Sequence, residues 1–157
     1  TVTGVQTCAL PIYGFGALLA DDRGLGKTLQ CISHVAIEYL NKNQNQRSLI
    51  VVETALMEKW LNEFSKYCES LKVSTAYGKT LNASLENSQA QVLITTYTAL
   101  KQNLEKFNQY QWHLLVMDEA QNAKNAKTQN VQALNSLVCN QKICVSGTPI
   151  ENNLSEL

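Results

Sequence analysis

The sequence predicts an α/β fold, a mostly parallel β-sheet with helices on both faces. Three observations carry that expectation. Short apolar runs suited to buried strands alternate along the chain with longer stretches of helical period. The first such run passes through a glycine-bearing loop, DDRGLGKT (Asp21 to Thr28), directly into a helical stretch. A later run, LLVM (Leu114 to Met117), ends in two adjacent acids, Asp118 and Glu119.

The elements follow in order. GALLA (Gly16 to Ala20) reads as a buried strand. Lys27 to Leu40 reads as a helix, with Leu29, Ile32, Val35, Ala36, Ile37 and Leu40 near helical period. The polar run Asn41 to Arg47 is expected to be a surface loop. Ser48 to Glu53 is β-rich, and Ala55 to Cys68 is a helix whose face is marked by Leu56, Trp60, Leu61, Phe64 and Tyr67. Leu71 to Gly78 and Gln91 to Tyr97 are strands, Thr98 to Phe107 a helix, and His113 to Ala120 a strand. Asn130 to Val138 is a helix and Lys142 to Pro149 a last strand. Ligands of such sheets bind beyond the carboxyl ends of the strands.

The chain has 157 residues, 45% hydrophobic and 17% charged, with a formal net charge of zero. That composition is globular, and it argues against a strongly basic nucleic-acid module without excluding a local contact strip. No apolar run is long enough to cross a bilayer, so no membrane partner is expected. Five cysteines (Cys8, Cys31, Cys68, Cys139, Cys144) form no C-x-x-C pair and no metal spacing with His34 or His113. They are expected to be reduced thiols in or near the core. Val2 to Ile12 (VTGVQTCALPI) has no periodicity and matches the translation of a widely used sequencing-library adapter. Residues 1–12 are therefore set aside from fold reasoning, and 13–157 are taken as the domain, with the native chain expected to extend upstream of Tyr13.

The loop at Asp21 departs from the G-x-x-x-x-G-K-[ST] pattern at its first glycine. The physical requirement is that backbone N–H groups converge on phosphate where the chain curls, just ahead of a helix N-terminus. Gly24 and Gly26 meet it. Lys27 supplies a point charge, and the Thr28 hydroxyl can reach Mg²⁺. Asp118, emerging at the end of a buried strand, can hold the same ion, and Glu119 can act as general base towards water.

Five segments then carry a specific resemblance: GALLADDRGLGKTLQ, SLIVVETALMEKWLNEF, VLITTYTAL, LLVMDEAQNAKN and VSGTPIENNLSEL. They resemble motifs I, Ia, Ib, II and III of the sucrose-nonfermenting (Snf) family of helicase-like ATPases in superfamily two. The resemblance runs from Gly14 to Leu157 and covers the first of two RecA-like lobes of the P-loop NTPase type. In that family an acidic residue at the place of Asp21 is usual.

The resemblance implies ATP and Mg²⁺ as cofactors, with Asp22, Arg23, Gly24, Leu25, Gly26, Lys27, Thr28 and Leu29 forming the nucleotide loop. Thr28 and Asp118 would hold the metal. Lys27, Asp118, Glu119 and Gln121 would act in hydrolysis, Gln121 by sensing the γ-phosphate. Ser146, Gly147 and Thr148 would couple the nucleotide state to movement between lobes. Thr54, Thr95 and Thr96 would contact DNA through backbone amides and hydroxyls, which position without reading sequence. The implied partner is double-stranded DNA, engaged by the full two-lobe motor, together with a protein such as RNA polymerase or another DNA-bound complex. An isolated first lobe is expected to bind nucleotide weakly and hydrolyse it barely. The expected compartment is a bacterial cytoplasm, associated with the nucleoid, or the nucleus of a eukaryote.

Two positions depart from the family pattern. Arg23 replaces a common methionine, and Glu53 replaces a common proline at a place where a carboxylate would repel phosphate. Other readings compete with a DNA translocase: a strand-separating helicase of the same superfamily, and a noncatalytic nucleotide-binding interaction domain. A GTPase-type switch is disfavoured, because NKNQ (Asn41 to Gln44) lacks the aspartate of N-K-x-D and falls too early.

Overall fold

In the computed structural model the described residues are 7–8, 17–20, 26–41, 46–119 and 129–146. They form a seven-stranded sheet in the order β1-β2-β7-β6-β3-β5-β4. The strands are β1 (Thr7–Cys8), β2 (Ala17–Ala20), β3 (Arg47–Val52), β4 (Val73–Thr75), β5 (Val92–Thr96), β6 (Trp112–Met117) and β7 (Cys139–Ser146). Every pairing from β2 to β4 is parallel. Only β1 runs antiparallel, pairing Thr7 with Leu19 and Cys8 with Leu18. Part of the segment set aside at the sequence level thus joins the sheet edge.

The helices are α1 (Lys27–Asn41), α2 (Met57–Tyr67), α3 (Leu81–Glu86), α4 (Tyr97–Gln102), α5 (Leu104–Phe107) and α6 (Gln129–Ser136). They divide between the two faces of the sheet. Ile50, Val52, Ile94, Leu114 and Val116 pack with Cys31, Ile32 and Val35 of α1 and Met57, Trp60 and Phe64 of α2. Their neighbours Leu49, Val51, Leu93 and Leu115 face the other way, against side chains of α3 to α6. Because β3, β5 and β6 are covered on both sides, each carries an unbroken apolar stretch, Leu49 to Val52, Val92 to Ile94 and Leu114 to Met117. Among the described residues no helix is long and apolar enough to cross a membrane.

Several expectations need correction. The buried face of α1 is Cys31, Ile32 and Val35, whereas Leu29, Ile37 and Leu40 are exposed, Leu40 to 80%. Apolar residues on both sides of the contact line had shifted the apparent face. Tyr67 ends α2 half exposed rather than buried. The expected helix from Thr98 to Phe107 is two helices, broken at Asn103, whose Nδ2 donates to the Ala99 carbonyl at 3.0 Å and competes with the helical ladder. Helix α3 was not anticipated, since LNASLE offers only two large apolar residues.

Arg47 was expected in a surface loop and instead opens β3. Its guanidinium donates to the carbonyls of Ser84, Leu85 and Ala90 at 2.9, 2.8 and 3.2 Å. It also lies 5.1 Å from the Tyr110 ring centroid and 5.5 Å from that of Trp112. One side chain therefore closes the last turn of α3 and docks it on the sheet. Replacing Arg47 with Met keeps the stem and removes these donors. Such a variant is expected to lose about 2–4 kcal/mol of stability, read as a lower urea midpoint with an unchanged slope.

Candidate active site

The carboxyl ends of β2, β7 and β6 stand side by side, in register through Ala20 with Ser146 and Cys144 with Met117. Helix α1 follows β2 in the chain, and Asp118 follows β6 directly. The topology therefore gathers the loop-helix junction and the acidic pair at one end of the sheet, where α/β folds bind ligands. Asp22, Arg23, Gly24, Leu25, Gln121, Gly147 and Thr148 lie outside the described residues. Gly26, Lys27, Thr28 and Leu29 lie within them.

Gly26 has φ of +76°, and an added Cβ would meet no atom within 4 Å. Backbone conformation, not crowding, is what asks for glycine there. Its carbonyl accepts from the Gln30 N–H at 3.0 Å and so starts the helix. Lys27 and Thr28 form the first turn of α1, which carries no acidic residue to neutralise its positive end. A helix N-terminus of this kind attracts an anion such as phosphate.

Asp118 is 8% exposed. Its Oδ2 accepts from the Trp60 indole Nε1–H at 2.8 Å, and its Oδ1 from the Glu119 N–H at 2.9 Å. Burial holds its carboxyl above the usual range, and these two donors pull the other way. Its main-chain carbonyl accepts from the Tyr97 hydroxyl at 2.8 Å, and its N–H donates to Val51 at 2.9 Å. Glu119, only partly covered, sits at φ +52°, an uncommon conformation for a residue with a Cβ. The Cys31 thiol is pushed up to about 12, first by burial and then by the charge of Asp118.

The threonines expected at a nucleic-acid face separate. Thr54 is exposed just beyond β3. Thr95 is fully buried and donates to the Ala76 carbonyl at 2.7 Å. Thr96 is 2% exposed, and its Oγ1 caps α4 by accepting from the Ala99 N–H at 3.1 Å. Both hydroxyls bond within the fold, so the hydroxyl half of the expected DNA contact is corrected at these two positions. Ser146 is also fully buried, at the end of β7. Beyond β5 lies a polar hollow of about 470 Å³, whose lining includes Thr54, Thr96, Thr98, Gln102, Asn103 and Lys106. In the sequence Trp60 reads as one position of an apolar helical face and Tyr97 as the end of a strand. Neither spacing signals its bond to Asp118.

These features define a RecA-like α/β domain with a loop-helix junction and an acidic pair at adjoining strand ends. The chain belongs to the SNF2-related domain family, which matches residues 13–157. It is 37% identical over 146 residues to the helicase ssl-1 of Caenorhabditis elegans, covering 89% of this chain and 6% of that protein. It is 36% identical over 146 residues to the helicase domino of Drosophila melanogaster, with 89% and 5% covered. Among solved structures, the Sulfolobus solfataricus SWI2/SNF2 ATPase core in complex with dsDNA superposes with a TM-score of 0.81 at 33% identity. That match covers 92% of this chain and 30% of the other. The chain thus spans a small part of the relatives it matches.

Two outcomes follow from this geometry. Thr96→Val removes the cap on α4 and is expected to cost about 1 kcal/mol, seen in urea unfolding. Burial keeps Cys31 protonated to about 12 and Cys144 to about 11, so both are poor nucleophiles at mildly alkaline pH. Mass spectrometry after brief alkylation of the folded protein should find Cys68, which is only half-buried, modified well before either.

Proposed function

We propose that this domain binds ATP with Mg²⁺ and that the protein containing it hydrolyses ATP to move along double-stranded DNA. The observation that carries the reading is the placement of Asp118 and Glu119 at the carboxyl end of β6, at the same end of the sheet where β2 leads towards α1, in a domain of the SNF2-related family. The Sulfolobus core that shares this fold was solved on duplex DNA, which supports the choice of partner.

The residues present suit Mg²⁺. A hydroxyl and a carboxylate are the hard oxygen donors that this ion takes. Each carboxylate oxygen of Asp118 accepts one described N–H bond and keeps acceptor capacity beyond it. Among the described residues no group of three or more His, Cys, Asp or Glu could hold a metal by itself. The ion would rest on Thr28, Asp118 and phosphate oxygens, as is usual for Mg²⁺ at nucleotide sites. When bound, it neutralises charge on the phosphates.

In this reading Asp22 to Leu29, the run that leads into and opens α1, binds the phosphates through backbone N–H groups, and Lys27 adds a positive charge. Glu119 orients the attacking water and accepts its proton. Its backbone conformation, fixed by the N–H bond to Asp118, sets where that carboxylate begins. Gln121 senses the γ-phosphate, and Ser146, Gly147 and Thr148 pass the nucleotide state to the rest of the motor. DNA would lie against the polar hollow beside β5, met by Thr54, Thr98, Gln102 and Lys106. Such local contacts position DNA without reading its sequence. Glu53, exposed beside Thr54, would disfavour close approach of phosphate at that one point.

The names of the relatives favour a second reading, a strand-separating helicase. The two are distinguished by giving the full-length protein blunt and tailed duplexes. Movement without strand release supports translocation, and robust unwinding supports the helicase. Steady-state ATP turnover should rise with duplex DNA and fall at least about 100-fold in Lys27→Ala. Glu119→Gln should retain nucleotide affinity while losing turnover to a similar degree. Turnover that ignores DNA, or survives in Lys27→Ala, would remove the motor reading and leave a nucleotide-binding interaction domain.

A further inference from the structure

Asp118 is gripped from both faces of the sheet. Trp60 belongs to the layer of α1 and α2, and Tyr97 to the opposite layer. Both are nearly or fully buried, at 0% and 6% exposure. The Trp60 indole N–H fixes one carboxylate oxygen, and the Tyr97 hydroxyl fixes the main-chain carbonyl of the same residue, each at 2.8 Å. Two buried aromatic residues thus spend their polar atoms on a single aspartate. If packing were the only requirement, phenylalanine would fill either place without a polar atom to satisfy.

The bonds act on different degrees of freedom. Trp60 sets the rotation of the carboxylate, and its bond is charge-assisted. Tyr97 sets the backbone just where the chain leaves β6 and turns to positive φ at Glu119. The Val51 carbonyl holds the Asp118 N–H from the neighbouring strand, so the residue is fixed at its main chain on two sides.

We propose that Trp60 and Tyr97 are positioning residues that preorganise Asp118 to receive Mg²⁺. This rests on the reading of Asp118 as the metal-holding carboxylate. Donors that orient a metal-binding side chain govern metal affinity, and losing one typically weakens it by about 10-fold or more. Tyr97→Phe is the cleaner variant, because it removes one oxygen and leaves the ring. Trp60→Phe also loses volume.

The test is equilibrium binding of a fluorescent ATP analogue to the full-length protein, once in excess Mg²⁺ and once in EDTA. The ratio of the two affinities reports the metal-dependent part of binding and does not depend on turnover. Wild type is expected to bind more tightly with Mg²⁺, and Asp118→Asn to lose most of that gain. Tyr97→Phe and Trp60→Phe should lose about 10-fold of it while keeping the EDTA affinity of the wild type. A wild-type ratio in both variants would overturn the proposal, and so would a parallel loss in both conditions by folded protein. If wild type gained nothing from Mg²⁺, or Asp118→Asn kept the gain, the metal reading of Asp118 would itself fall.

Discussion

A carboxylate at the end of an apolar strand, covered on both faces, must be given hydrogen-bond donors or lose its charge. Asp118 is in that position, and much of the surrounding structure answers it. Trp60 reaches it from α2, the Glu119 N–H from the next residue, and Tyr97 steadies its carbonyl from α4. The same burial that lifts its carboxyl also strengthens any cation held there, because charges attract more strongly where water is excluded. A parallel sheet is what makes this arrangement reachable. Adjacent strands end in one row, so residues distant in sequence arrive together without long loops.

Where residues are buried on both faces, the sequence is easy to read. Leu49 to Val52, Val92 to Ile94 and Leu114 to Val116 are unbroken apolar runs, and the structure makes each a central strand. The acidic pair was legible for the same reason, since polar residues stand out where such a run stops. Partners that close over long separations were not. Trp60 and Asp118 lie 58 residues apart and Tyr97 and Asp118 21, and an indole on a helical face looks like any other core side chain. Arg47 was hidden by the polar run before it, although its guanidinium holds the end of α3.

The threonines show a different limit. Thr95 and Thr96 sit at the right end of the sheet, and position alone suggested contact with a ligand. β-branched residues at strand ends serve equally well as caps and cross-strand donors, and here both hydroxyls do so. What remains open to solvent beside β5 is a polar hollow with one lysine in its lining, Lys106. Lys106 also bonds Asn82 at 2.8 Å, which ties α5 to α3. The candidate DNA face is therefore built mostly from neutral polar groups, consistent with a chain of zero net charge.

The central claim is that nucleotide phosphates and a metal ion meet between the start of α1 and the end of β6. A crystal structure of the full-length protein with Mg²⁺ and a nonhydrolysable ATP analogue tests it most directly. Phosphate oxygens are expected against the N–H groups of Gly26 to Thr28, with Mg²⁺ held by Thr28 and Asp118. Phosphates seated away from α1, or Asp118 keeping its Trp60 and Glu119 bonds with no ion beside it, would contradict the account.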